Sequence, residues 1–196
     1  MKTCGKVIAF ASVAWVATAG TAMAGDLRAL ARLNIDAGGD DLVTVIYTNG
    51  DSQDLKAGQL LTFSIGALYR PEASHYSLEG TIGYKIDKAN AINGSAEFTR
   101  IPVDLIASYA AGRHRIGGGI TYHLDPKLEC NIGGICSGQV DFSDALGFIV
   151  QYAYGIELAS GAMFDLGARY TNIDYEISGG QSISGSAAGI FIGFGF

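Results

Sequence analysis

The chain has 196 residues, with 13 Lys and Arg against 19 Asp and Glu and a formal net charge of −6. An acidic chain without a basic patch argues against nucleic-acid binding. Its 28 glycines follow no collagen-like period, and with only three prolines and alternating aromatics they point to β structure with tight side-chain packing.

Residues 1–24 read as a secretory signal. Lys2 and Lys6 form a basic start, Val7 to Val16 the apolar stretch, and Ala22-Met23-Ala24 an A-x-A site with cleavage after Ala24. The apolar run is too short for a membrane anchor and lacks a basic stop-transfer flank. Cys4 precedes that run, so it is not placed as a lipoprotein cysteine. Residues 25–196 suffice for one domain and keep 11 basic side chains, 13 less the two leader lysines, against 19 acidic. No later stretch approaches the roughly 18 uninterrupted apolar residues of a helical span.

The first predicted strand is Leu27–Asp36. Its odd positions (Leu27, Ala29, Ala31, Leu33, Ile35) are all apolar and its even positions mostly polar. A helix fits Leu27–Leu33, but five consecutive matches to period 2 favour a strand. Residues 37–58 are a longer polar segment with a turn at Gly38–Asp41, a β-branched run at Leu42–Thr48 and the hairpin signal Asn49-Gly50. They read as an extracellular β-hairpin in the first loop, or as two further barrel strands.

Gln59–Arg70 sets Leu61, Phe63, Ile65, Ala67 and Tyr69 against Thr62, Ser64, Gly66 and Arg70, and turns at Pro71–Ser74. His75–Asp87 alternates Tyr76, Leu78, Ile82, Tyr84 and Ile86 with mainly polar residues, before a polar loop over 88–97. Phe98–Tyr109 carries Ile101, Val103, Leu105, Ala107 and Tyr109 on one face. Pro102, on the other, lacks an N–H and predicts a bulge or a strand start. After the turn at Ala111-Gly112, Arg113–Leu124 sets Ile116, Ile120, Tyr122 and Leu124 against Arg113, Arg115, Gly117, Gly119, Thr121 and His123.

Asp125–Gln139 reads as a loop containing Cys130 and Cys136. In an oxidising compartment this pair reads as a disulfide, since a metal site would need further ligands and His123 is the only candidate nearby. Val140–Ile156 places Phe142, Leu146, Phe148, Val150, Tyr152, Tyr154 and Ile156 on one face. Ala162–Tyr175 alternates Phe164, Leu166, Ala168 and Tyr170 with Asp165, Gly167, Arg169 and Thr171. Beyond Thr171 its apolar residues, Ile173 and Tyr175, change parity, which predicts a bulge or emergence from the membrane. The last strand, Gly185–Phe196, has one large apolar face (Ile190, Ile192, Phe194, Phe196) and one of small residues. In water such a strand is a hazardous open edge, whereas in lipid closure of a barrel removes the edge.

The expected fold is therefore all-β: an eight-stranded, antiparallel, up-and-down transmembrane β-barrel. Long connections (37–58, 88–97, 125–139, 177–184) alternate with short ones (71–74, 111–112, 157–161), as they do when both barrel ends lie in the periplasm. About 12 residues at roughly 3.3 Å each, tilted near 40°, cover about 30 Å, a bilayer's core. Tyr69, Tyr76 and Tyr109 at one rim and Tyr84 and Tyr122 at the other form two aromatic girdles.

The inward parity gathers both charge signs. Glu79, Asp104, Arg115 and Arg169 sit mid-strand and, with Arg32 and Asp165, are the candidate lumen charge network. Unpaired buried charge costs several kcal/mol, so these groups should pair. They read either as a packed plug, since eight strands leave room only for side chains, or as a narrow gated channel with some water-filled space beside the luminal glycines.

With its leader, eight alternating segments and the ending Ile190-x-Ile192-x-Phe194-x-Phe196, the chain resembles the small outer-membrane barrels of Gram-negative bacteria, the OmpA, OmpX and OmpW group. The resemblance implies a bacterial outer-membrane location and contact with outer-membrane lipids and lipopolysaccharide. It also implies that Ile192, Phe194 and Phe196 form the signal read by the barrel-assembly machinery. We expect a monomer with no cofactor, no metal and no catalytic residue. Barrels that deacylate lipid A use a lipid-facing His-x-Ser-Asn arrangement near the outer rim, which Tyr122-His-Leu-Asp-Pro126 lacks. His75 and His114 fall at the opposite rim, and the ten-stranded omptin proteases need a longer chain. The remaining class is a structural or surface-interaction protein working through its loops.

Overall fold

The computed structural model describes residues 25–46, 52–91, 94–133, 136–177 and 180–196. The leader, the Asn49-Gly50 turn and Asn93 lie outside the described residues. The strands, in chain order, are β1 (Gly25–Gly38), β2 (Asp41–Ile46), β3 (Ser52–Lys56), β4 (Leu60–Pro71), β5 (Tyr76–Ala91), β6 (Gly94–Ala111) and β7 (His114–Ile132). They continue with β8 (Cys136–Asp141), β9 (Ala145–Glu157), β10 (Met163–Asn172), β11 (Asp174–Glu176), β12 (Ser182–Ser184) and β13 (Ala187–Gly195).

Eight of these close a barrel in the order β1-β4-β5-β6-β7-β9-β10-β13, every neighbouring pair antiparallel. Closure runs from Leu30 opposite Gly195 to Gly38 opposite Ala187. Ala29 and Phe196 exchange two further backbone hydrogen bonds, of 2.8 and 3.0 Å. With every edge paired inside the ring, the backbone polar groups need no water, which is what hydrocarbon requires. The outer surface is apolar: Phe148 is 64% exposed, and Ile116 and Ile190 are 60% exposed. Tyr76, Tyr109, Tyr84 and Tyr122 are exposed near the two rims, with the Tyr76 and Tyr109 rings 5.4 Å apart, and Tyr69 is partly buried.

Two of the four long connections, 88–97 and 125–139, are built differently from the sequence reading. Within the polar loop expected over 88–97, residues 88–91 and 94–97 are strand, with Lys88 opposite Glu97 and Ala91 opposite Gly94. Of the loop expected over 125–139, residues 125–132 and 136–139 are strand: β7 runs on to Ile132 and β8 pairs beside it. Residues 140–156 are not one strand, because the chain breaks at Ser143 and Asp144, where Phe142 instead bridges to Ile177. As a result Phe142 is buried and does not share the lipid-facing side of Leu146 and Phe148. As expected for the first loop, β2 and β3 pair as a separate two-stranded sheet and add nothing to the barrel wall.

The bulge expected at Pro102 lies on the adjacent strand. Thr99 faces Lys127 and Ile101 faces Leu124, so Asp125 and Pro126 on β7 oppose the single residue Arg100. Asp125 takes φ +51°, a left-handed conformation that Asp tolerates. The extra residue swaps the inward parity of β7 from odd (Arg115, Thr121, His123) to even (Pro126, Ile132). This turns the apolar residues of the outer stretch toward the barrel axis. On β10 and β11 the reverse holds: parity does not slip, and Ile173 and Tyr175 are buried in phase with Arg169 and Thr171. What changes at Thr171 is the interior itself, from polar to apolar.

Candidate functional site

The lumen has two storeys. In the lower one, between the short-turn rim and Arg100, the inward charges are paired and stand among buried Leu30, Leu68, Ile106, Ile149 and Phe191. Nearest the short-turn rim, Arg115 Nη2 lies 2.5 Å from Asp165 Oδ2, with Arg115 Nη1 3.7 Å from the Met163 sulfur. Next, Arg32 grips Glu79 through two nitrogens at 2.6 and 2.9 Å. Gln151 accepts from Arg32 at 3.2 Å and donates to Glu79 at 3.4 Å. The Arg32 guanidinium also lies 4.4 Å from the centroid of the Phe191 ring. Farther out, Arg169 donates to Asp104 at 3.0 Å, and the Thr121 hydroxyl donates to the same carboxylate at 2.6 Å. Lys85 and Asp36, 2.6 Å apart, complete the stack.

The six charges of the candidate network thus fall into three pairs, each joining two strands. Lys85–Asp36, Gln151, Thr121 and His123 were not in the candidate set, although Asp36, Lys85 and His123 stand on the inward parity. Parity alone assigns a face, while the stagger between tilted strands decides which residues share a level. Other inward-parity charges serve no interior pair: Arg113 and Glu157 are exposed at the short-turn rim, and Arg28 pairs with exposed Asp26 at 2.6 Å.

The glycines do not leave open space there. A Cβ on Gly167 would meet the Tyr152 carbonyl at 2.3 Å and the Phe191 ring at 2.4 Å, and one on Gly189 would meet Asp36 Oδ1 at 2.2 Å. These positions admit the backbone and side chains that support Arg32 and Lys85. Gly193, by contrast, would make only ordinary contacts. Between the outer two pairs remains a void of about 10 Å³, lined by Asp36, Lys85, Asp104, His123 and Arg169, the scale of one water.

Arg100 divides the storeys. It is buried, and among the described residues no carboxylate stands within ion-pair distance. Its guanidinium sits 4.3 Å from the Phe98 ring centroid and 6.0 Å from that of Tyr175, and Nη2 donates to the Gln59 carbonyl at 3.4 Å. Above it Leu55, Ala57, Ala89, Ala96, Phe98, Ile132, Phe142, Ala145, Ile173 and Tyr175 form one buried apolar cluster, against which partly buried Ile177 and Ile183 pack. Phe98 packs edge-on to Phe142 and Tyr175, with centroids 5.4 and 5.5 Å away. The β2–β3 hairpin covers this cluster. Its Lys56 pairs with Asp41, and the Lys56 backbone N–H donates to Asp87 at 3.2 Å. Burial pushes the Asp87 carboxyl above its ordinary range, against the pull of that N–H and of Arg100.

The Cys130–Cys136 disulfide spans 5.8 Å between Cα atoms and ties the β7–β8 hairpin, its sulfurs packed beside the apolar cluster. His123 is buried, its Nδ1 2.6 Å from the Tyr175 hydroxyl, while His75 and His114 stand exposed at the short-turn rim. Ile192 and Phe194 face outward on β13, Phe194 packing edge-on to Phe164 at 5.1 Å, and Phe196 is 70% exposed at the rim. Among the described residues no cluster of three or more His, Cys, Asp or Glu could hold a metal ion.

A closed eight-stranded wall, apolar outside and ionic within, is the fold of the small outer-membrane β-barrels. The attachment invasion locus protein Ail of Yersinia pestis, solved with the heparin analogue sucrose octasulfate, is similar with a TM-score of 0.56 at 10% identity. That match covers 89% of this chain and all of Ail. Neisserial surface protein A is similar with a TM-score of 0.51 at 12% identity, covering 86% of this chain and 95% of the other. No protein-family model matches the sequence, and no curated protein sequence matches it significantly.

Proposed function

We propose that this protein is a plugged outer-membrane barrel whose work is done by its folded outer end, as a structural or surface-interaction protein without catalysis. In this reading residues 1–24 direct export and are removed after Ala24, and Ile192, Phe194 and Phe196 present the assembly signal. The monomeric barrel then sits among outer-membrane lipids and lipopolysaccharide with its long connections outside. The observation that carries the reading is the division of the lumen. Four buried ion pairs fill its lower part, and an apolar cluster capped by the β2–β3 hairpin fills the upper.

The outer end also bears on the kind of partner. Its described cations are Lys56, Lys88 and Lys127, and each is paired to a carboxylate (Asp41, Glu97 and Asp125). Asp54, Glu129, Asp141, Asp174 and Glu176 add further negative charge, so that even with Lys127 opposite Asp141 the acids outnumber the lysines. A surface of this sign favours cationic partners. It does not suit a polysulfated ligand such as the one in the Ail structure.

Labelling of intact cells tests the reading. A Ser137→Cys variant should react with a membrane-impermeant maleimide and a Glu72→Cys variant should not; the opposite pattern would overturn the orientation. The lipid A mass spectrum of expressing cells should match that of control cells, and a new acylation state would refute the absence of catalysis.

A further inference from the structure

The short-turn mouth of the barrel holds a feature that the plug does not use. A cavity of about 310 Å³ opens there, lined by Arg70, Arg113, His114, Arg115, Glu157 and Met163. Of its lining residues, Arg115 is the one that pairs with Asp165. Three guanidiniums therefore meet one lining carboxylate. Among the described residues, neither Arg70 nor Arg113 stands within ion-pair distance of an acid. Arg113 donates to the Tyr154 hydroxyl at 3.3 Å.

Two of the guanidiniums have unmet donors. The Nε groups of Arg70 and Arg115 are shielded from solvent and have no hydrogen-bond acceptor, and Arg115 as a whole is 5% exposed. What faces the cavity is an excess of positive charge, three guanidiniums against the single lining carboxylate of Glu157. The volume, at the low end of small-ligand pockets of about 300–1,000 Å³, accepts a compact oxyanion with room for water.

We propose that this mouth is an anion site for a phosphate group, gripped by Arg70 and Arg113 at the rim and by Arg115 at the floor. Arginine suits it because its planar fork of donors matches the oxygens of phosphate. Arg115 keeps its bond to Asp165 throughout, and its charge draws the anion toward the floor while Arg70 and Arg113 supply the donors. The phosphate can come from a soluble compound or from the headgroup of a phospholipid in the adjoining leaflet.

The test uses the full barrel refolded in a zwitterionic detergent lacking phosphate and labelled for NMR of the arginine Nε–H groups. Inorganic phosphate is titrated at constant ionic strength set by chloride. Saturable shifts at Arg70, Arg113 and Arg115 are expected. Binding should weaken about tenfold in Arg113→Gln, the scale of one charge-assisted hydrogen bond lost. It should weaken further in Arg70→Gln/Arg113→Gln, whose heat-dependent gel mobility confirms a closed barrel. A second arm repeats the measurement, without inorganic phosphate, in nanodiscs of a phosphate-free zwitterionic betaine lipid with and without phosphatidylglycerol. Shifts that appear only with phosphatidylglycerol support the site and name the lipid as its source. Linear shifts in both arms, or saturation unchanged in the double variant, would overturn the proposal.

Discussion

Within one closed sheet, the residues facing the axis change character at Arg100, and the two sides are held together by different forces. Below it, Arg32–Glu79, Arg115–Asp165, Arg169–Asp104 and Lys85–Asp36 are buried ions whose desolvation costs several kcal/mol each and is offset by pairing. Above it, Phe98, Phe142, Ile132 and Tyr175 gain by leaving water, because the wall there has risen past the lipid and is polar outside, as with exposed Lys88 and Glu129. The same strands thus invert their alternation. Inside the bilayer they are apolar outward and polar inward; beyond it they resemble a soluble protein. A charge at a lower position is safe only with its partner, whereas an apolar side chain at an upper position acts nearly on its own.

That contrast can be broken from either side. The largest effect is expected from Arg32→Met, which strands Glu79 in the lower storey and should destabilise the barrel by about 3–5 kcal/mol in urea-dependent unfolding in detergent. The double variant Arg32→Met/Glu79→Leu should recover most of the loss. Equal losses in single and double variants would show that the lower storey is not held by pairing.

Phe98→Ala removes the ring that packs on Phe142, Tyr175 and Arg100, and should cost about 3 kcal/mol. The loss should be confined to the upper storey, read as faster amide exchange in 128–132, 136–142 and 173–177 with little change in mid-barrel strands. Uniform acceleration throughout would mean that the two storeys are one cooperative unit.

Reducing the Cys130–Cys136 disulfide should have the smallest effect, about 2 kcal/mol for so short a loop. It should loosen the β7–β8 hairpin without altering the heat-dependent gel mobility of the barrel. Loss of the mobility shift on reduction would place the disulfide in the barrel's own stability.

How much of this the sequence revealed follows the same division. In the lower storey lipid imposes strict alternation, so strands such as His75–Asp87 and Ala162–Thr171 and the closing partnership of Leu27–Asp36 with Gly185–Phe196 were legible. Six of the charges now seen in three pairs were singled out there as well. Their pairing was not legible, because the level of a residue depends on strand stagger. Lys85–Asp36 was missed because both groups lie toward strand ends.

In the upper storey the cues misled. Polar residues around 88–97 and 125–139 read as loops, whereas they are the outer faces of strands in water. The parity change at Ile173 and Tyr175 predicts a bulge or emergence from the membrane, and there is no bulge: the interior, not the backbone, changes. The Asp125–Pro126 bulge that redirects β7 shows in the sequence only as a turn-like dipeptide, and Pro102 drew attention to the neighbouring strand.

The central claim is that these two storeys together close the lumen. Conductance across a planar bilayer tests it most directly. The account predicts no discrete current steps from the wild-type protein, and a conductance that appears when Arg32, Glu79, Arg169 and Asp104 are all replaced by alanine in the disulfide-intact barrel with the cap deleted over residues 42–56. Resolved steps from the wild-type protein, altered when Arg32 or Glu79 is neutralised, would contradict it and establish a channel through the charge network.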